Sequence, residues 1–61
     1  SCLPINKNYL QTGDLVIFEG DDGEDSELVG IAVNGSILAP SDDGLATKDV
    51  NKAKRGWRLD G

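Results

Sequence analysis

The dipeptide Asn34-Gly35 constrains this chain more than any other pair of residues in it. Asn and Gly both tolerate positive φ, which a type I′ turn demands at its two central positions. The twist of such a turn matches that of the two antiparallel strands it joins. Apolar runs flank the pair, with Ile31-Ala32-Val33 before it and Ser36-Ile37-Leu38-Ala39 after it. The segment therefore reads as a tight hairpin whose first strand reaches back to Leu28. Pro40 has no backbone N–H to donate and is expected to end the second strand. Gly30, inside the first, predicts a bulge or the close approach of another backbone.

A further apolar run, Leu15-Val16-Ile17-Phe18, is bracketed by Gly13 and Gly20. It is too short for a helix, and its β-branched and aromatic content reads as a strand covered on both faces. Between Phe18 and Leu28 lies EGDDGEDSE, a stretch of six acids and two glycines that reads as a long polar loop closing a hairpin. Residues 1–12, with Leu3, Pro4, Ile5, Tyr9 and Leu10, read as an extended N-terminal lead-in that ends in a turn at Thr12-Gly13. Ser41-Asp42-Asp43-Gly44 is another turn. Residues 46–55 fit one short helical turn or two near residues 48–55, capped by Thr47 and stopped by Gly56. Trp57-Arg58-Leu59 alternates and fits a closing strand with Trp57 and Leu59 pointing inward.

This order of elements predicts a mainly β (all-β) fold, a small antiparallel meander. It becomes a five-stranded SH3-like barrel if the N-terminal segment also pairs. The expected core is Val16, Phe18, Val29, Ile31, Val33, Ile37, Leu45, Val50, Trp57 and Leu59. A chain of 61 residues is a single small domain and buries only about 60% of its unfolded surface, so it is marginal alone. One cysteine, Cys2, makes no internal disulfide, and a chain without histidine has no ready zinc site. Assembly with itself or with a larger partner is then an expected source of stability. No apolar run approaches the roughly 20 residues that span a bilayer, so no membrane contact is expected.

The pattern GDLVIF, then LVGIAV, then a turn and a short strand ending in Pro40 resembles the strand rhythm of small phage-type capsid cement or decoration proteins, across residues 13–40. That resemblance implies a non-enzymatic protein on the outside of a head shell, and it carries no functional residue across.

Charge is segregated. From Gly13 to Thr47 there are nine acids and no base, whereas Lys48 to Gly61 carries +3 within a total of −5. Such asymmetry concerns partners and steering rather than fold. The acids Glu19, Asp21, Asp22, Glu24, Asp25 and Glu27 form a candidate docking surface for a basic protein partner, including one that otherwise holds a phosphate backbone. The plainer alternative is a solvated loop whose charge discourages edge-to-edge pairing. No frame of this stretch places Gly sixth and Glu twelfth, as an EF-hand requires. Lys52, Lys54, Arg55 and Arg58 around Trp57 have the makings of a stacking platform with phosphate contacts. The net charge argues against nucleic acid, and the bases have a plainer use in pairing with the acidic hairpin around a buried Trp57.

Catalysis has little to work with. There is no His to act as a base, the paired acids Asp21/Asp22 and Asp42/Asp43 sit in turns, and Cys2 has no base nearer in sequence than Lys7 to lower its pKa. Asn34-Gly35-Ser36 is formally a glycosylation sequon, which the turn explains. The sequence thus leads to a small acidic protein-binding module without enzymatic activity, cofactor or metal. The expected setting is viral or phage accessory, as shell decoration or inhibitor of a host factor, cytoplasmic or virion-associated, with homo-oligomerisation as one mode. The rival readings are an SH3-like nucleic-acid-binding module using the basic segment, and a subunit or processed fragment of a larger assembly.

Overall fold

The computed structural model describes residues 1–60, and of Glu24 the backbone alone. The strands are β1 (Cys2–Ile5), β2 (Leu15–Gly20), β3 (Gly23–Val33), β4 (Ser36–Ser41), β5 (Gly44–Asp49) and β6 (Ala53–Leu59). Two 3-10 turns interrupt them, Lys7–Tyr9 and Val50–Lys52. All pairings are antiparallel, in the order β1-β6-β2-β3-β4-β5. The fold is all-β, as the alternation of apolar runs and turns requires.

The connection from β5 to β6 dictates the shape. These strands stand four places apart in the sheet, about 19 Å if it were flat. Only residues 50–52 join them, and a fully extended link from Asp49 to Ala53 reaches at most about 14 Å. The sheet must therefore curl, and the second 3-10 turn lies against β2.

Several expectations change in detail. The lead-in supplies β1, which pairs with β6 from Cys2↔Leu59 to Ile5↔Gly56. The long polar loop is instead strand: β2 runs to Gly20 and β3 starts at Gly23, with a register shift after the Glu19↔Glu27 pair. The intervening residues of β3 outnumber those of β2, so the hairpin closes through a wide irregularity rather than a free loop. Strand four continues through Pro40 to Ser41; its ladder with β3 ends at Leu38, so the missing N–H removes no bond from it.

The expected helix contracts to one 3-10 turn, because residues 44–49 pair with β4 instead (Ala39↔Ala46, Leu38↔Thr47). Val50 and Ala53 alone gave a helix too little apolar surface to compete. The cap is Asp49 rather than Thr47, its carboxylate accepting the Asn51 N–H at 2.8 Å. The Asn34-Gly35 turn is as read, with φ of 48° and 85° and Val33 opposite Ser36.

The core consists of Val16, Phe18, Ala32, Ile37, Ala39 and Ala53, with Leu10 packed against it. Of the expected core, Val16, Phe18 and Ile37 are buried, whereas Val33, Val50 and Trp57 are only half-buried. Val29, Ile31, Leu45 and Leu59 are exposed. The error is one of register, which moves a whole strand face at once. Val16 pairs with Gly30, so Gly30 and Ala32 face inward while Val29 and Ile31 face out. On β6 the inward residues are Ala53, Gly56 and Arg58, which turns Trp57 and Leu59 outward. Gly30 is required where it stands: a Cβ there would lie 2.6 Å from Ile37 Cγ2 and 2.8 Å from the Leu38 carbonyl oxygen.

Candidate functional site

The structure sorts the charged residues into two groups. At one end of the sheet the β2–β3 turn carries Asp21 and Asp22. Because β4 runs back beside β3, the Asp42-Asp43 turn reaches the same end. Glu19, Asp25 and Glu27 complete this acidic end; the side chain of Glu24 lies outside the described residues. Glu19 sits directly opposite Glu27, an unfavourable like-charge pair. The arrangement offsets it with bases from the second 3-10 turn and the start of β6. Arg55 and Lys54 both reach Glu27 at 3.4 Å, and Lys52 reaches Asp21 at 3.5 Å. Hydrogen bonds from Arg55, then Lys54, hold the Glu27 carboxyl below its usual range. These pairs are largely exposed and each adds about 1 kcal/mol or less.

Arg58 lies apart from that group. Its Nε and an Nη donate to the two carboxylate oxygens of Asp14 at 2.8 and 2.9 Å, and the same Nη donates to the Tyr9 carbonyl oxygen at 3.3 Å. Asp14 is 2% exposed and also accepts the Gln11 N–H at 2.8 Å. The Arg58 hydrogen bonds, over the opposing effect of burial, hold its carboxyl below the ordinary range, and they raise Arg58 in turn. This clamp ties the segment before β2 to β6. The four bases proposed as a phosphate-contacting platform are thus engaged with carboxylates, and Trp57 stands on the outer face beside Leu15.

The continuity of Leu15–Phe18 was read as a strand covered on both faces; the structure corrects this, for the curl covers one face and leaves the outer one open. Directly opposed residues of antiparallel strands share a face, and one cross-strand row reads Pro4, Trp57, Leu15, Ile31, Leu38, Thr47. The next row toward the acidic end reads Arg55, Ile17, Val29. Val29 is 52% exposed, Ile31 40% and Leu15 39%. A half-solvated sheet would alternate apolar inside with polar outside, and here the outward positions of β2 and β3 are apolar as well. The continuity of the runs Leu15–Phe18 and Leu28–Val33 was the available signal: it means two apolar faces, of which the curl covers one.

Elsewhere chemistry is sparse. An open cleft of about 360 Å³ between the two 3-10 turns is lined by Lys7, Asn8, Leu10, Val50 and Asn51. Cys2 is exposed and free. Among the described residues no three Cys, Asp or Glu side chains converge to hold a metal ion, and no helix is long and apolar enough to cross a membrane.

No curated protein and no solved structure matches this chain. One family model does match, over residues 1–59 and so over every strand of the sheet, and the chain therefore belongs to the family described as a domain of unknown function, DUF6950.

Proposed function

We propose that this protein is a non-enzymatic protein-binding module whose contact surface is the outer face of the sheet. The observation that carries the reading is the unbroken apolar row from Pro4 to Leu38, whose central residues Leu15 and Ile31 are 39% and 40% exposed. Contiguous exposed apolar surface on a small domain marks an interaction site, whereas single exposed apolar residues do not. The acidic end borders this face and gives the module a direction of approach for a basic group on a partner. In this reading the hairpin acids Asp22 and Asp25 steer and the outer face binds. Shell decoration, suggested by the strand rhythm of residues 13–40, is the setting we favour.

The test is affinity capture from the native source at low salt, with the eluate analysed for protein and for nucleic acid. The expected result is one stoichiometric protein, lost with Ile31→Glu when circular dichroism shows the fold intact. Nucleic acid in the eluate, or capture unaffected by Ile31→Glu, would sink the proposal.

A further inference from the structure

We infer that the occupant of the outer face is a second copy of this chain, packed face to face about a two-fold axis near the Leu15–Ile31 pair. This rests on the reading of that face as a contact surface and names its partner.

Position is the first argument. Leu15 and Ile31 sit on β2 and β3, with β6 and β1 to one side and β4 and β5 to the other. A two-fold contact lays each half of a patch on the other half of its copy, so it needs an uncharged centre. The residues beside that centre, Trp57 and Leu38, are apolar. An apolar, charge-depleted middle is the composition of an interface core, and homodimer interfaces share it across their whole area.

Area is the second. A stable specific interface removes at least about 600 Å² per copy, about 1,200 Å² in total, and a chain of 32 × 23 × 18 Å has a broad face of that size. The buried core is small, with three alanines among its six residues, and a chain of this length gains most from sharing a second core.

Charge is the third. Each copy carries −5, and the hairpin acids are gathered at one end of the sheet. With the strands of the two copies running in opposite senses, the acidic ends lie at opposite poles. The longest dimension of one chain is 32 Å, several times the Debye length of about 8 Å at physiological salt, so their repulsion is screened.

Sedimentation equilibrium of the full chain from about 1 μM to 1 mM, in about 0.15 M salt, decides the matter. The expected mass rises from 6.5 kDa to twice that value. Ile31→Glu, folded by circular dichroism, stays at the lower mass, its association weakened on the order of a hundredfold or more by an unpaired charge at the axis. If Ile31→Glu loses its strand signal, Val29→Glu probes the same face at a more exposed position. Wild type that stays monomeric throughout, or a dimer that survives both substitutions, overturns the inference. Monomeric wild type that still captures a protein which Ile31→Glu does not capture overturns the second copy alone. Neither dimer nor capture overturns the contact surface as well.

Discussion

Replacing Asp14 with Asn tests whether the clamp to Arg58 holds the N-terminal segment on the sheet. The substitution preserves shape and leaves an acceptor for the Gln11 N–H. It removes the charge that faces two guanidinium donors at 2.8 and 2.9 Å. Breaking a fully buried ion pair costs about 3–5 kcal/mol, chiefly because the remaining charge is stranded. Here the survivor is Arg58, whose side chain is 34% exposed against 3% for Asp14. Water can solvate part of it, so the loss should be smaller, about 2–3 kcal/mol. For a domain of this size, whose whole stability is on the order of 3–9 kcal/mol, that is a large fraction. Urea unfolding followed by Trp57 fluorescence measures it directly. Asp14 is held below its ordinary pKa, so the clamp contributes fully above the unfolded value of about 4 and fades as pH falls through the folded value. The gap between wild type and Asp14→Asn should therefore be wide at pH 7 and close progressively below pH 4. Arg58→Met supplies the double-mutant cycle, with an expected coupling above about 1 kcal/mol. A loss under about 0.5 kcal/mol, an additive cycle, or a gap that does not narrow in acid would refute the reasoning.

Three other perturbations have definite expectations. Gly30→Ala places a methyl against Ile37 Cγ2 and the Leu38 carbonyl oxygen and should destabilise by about 1–3 kcal/mol, read as a lowered urea midpoint with an unchanged m-value. Gly35→Ala forces a β-carbon into a residue with φ of 85°; thermal unfolding should show a loss of about 1 kcal/mol. Glu27→Gln removes two exposed ion pairs but also the like-charge contact with Glu19, so equilibrium unfolding should shift by no more than about 0.5 kcal/mol in either direction.

The elements of this fold were legible where the backbone leaves no choice. Asn34-Gly35 fixed one hairpin because few other residues tolerate its dihedrals, and the β-branched runs marked β2 and β3. What could not be read was facing. In Leu15-Val16-Ile17-Phe18 every residue is apolar, so period 2 offers no phase. The phase was set by Gly30, which alone could sit where β3 presses on Ile37. Gly30 was read as a bulge or a close backbone approach; the approach is what the structure has, the Leu38 carbonyl oxygen lying 2.8 Å from where a Cβ would stand, and it also marks the inward register. The acidic stretch misled for a different reason: charge and glycine argue for a loop, yet the bases at the start of β6 give those acids partners and let them lie along a strand. The pairing of bases with the acidic hairpin was foreseen, though not that Arg58 would leave the group for Asp14, which nothing in the local sequence links to it.

A short β5–β6 connection forces the sheet to curl, and a tight curl leaves little room inside it. Gly30, Ala32, Ala39, Ala53 and Gly56 line the interior beside Val16, Phe18 and Ile37, and Leu15, Ile17, Val29 and Ile31 of β2 and β3 point outward. Strand propensity alone does not account for those on the outside. Thr is as good a strand former as Val or Ile, and at Thr47, in the same cross-strand row, a polar residue serves. Leucine has no special preference for strands, yet Leu15 and Leu38 occupy that row. An apolar identity that neither local conformation nor the chain's own core requires is best explained by burial against something else. The central row of that face, from Pro4 to Leu38, carries no charge; the hairpin acids stand toward one end of the sheet, and Asp14 and Arg58 neutralise each other on its other face.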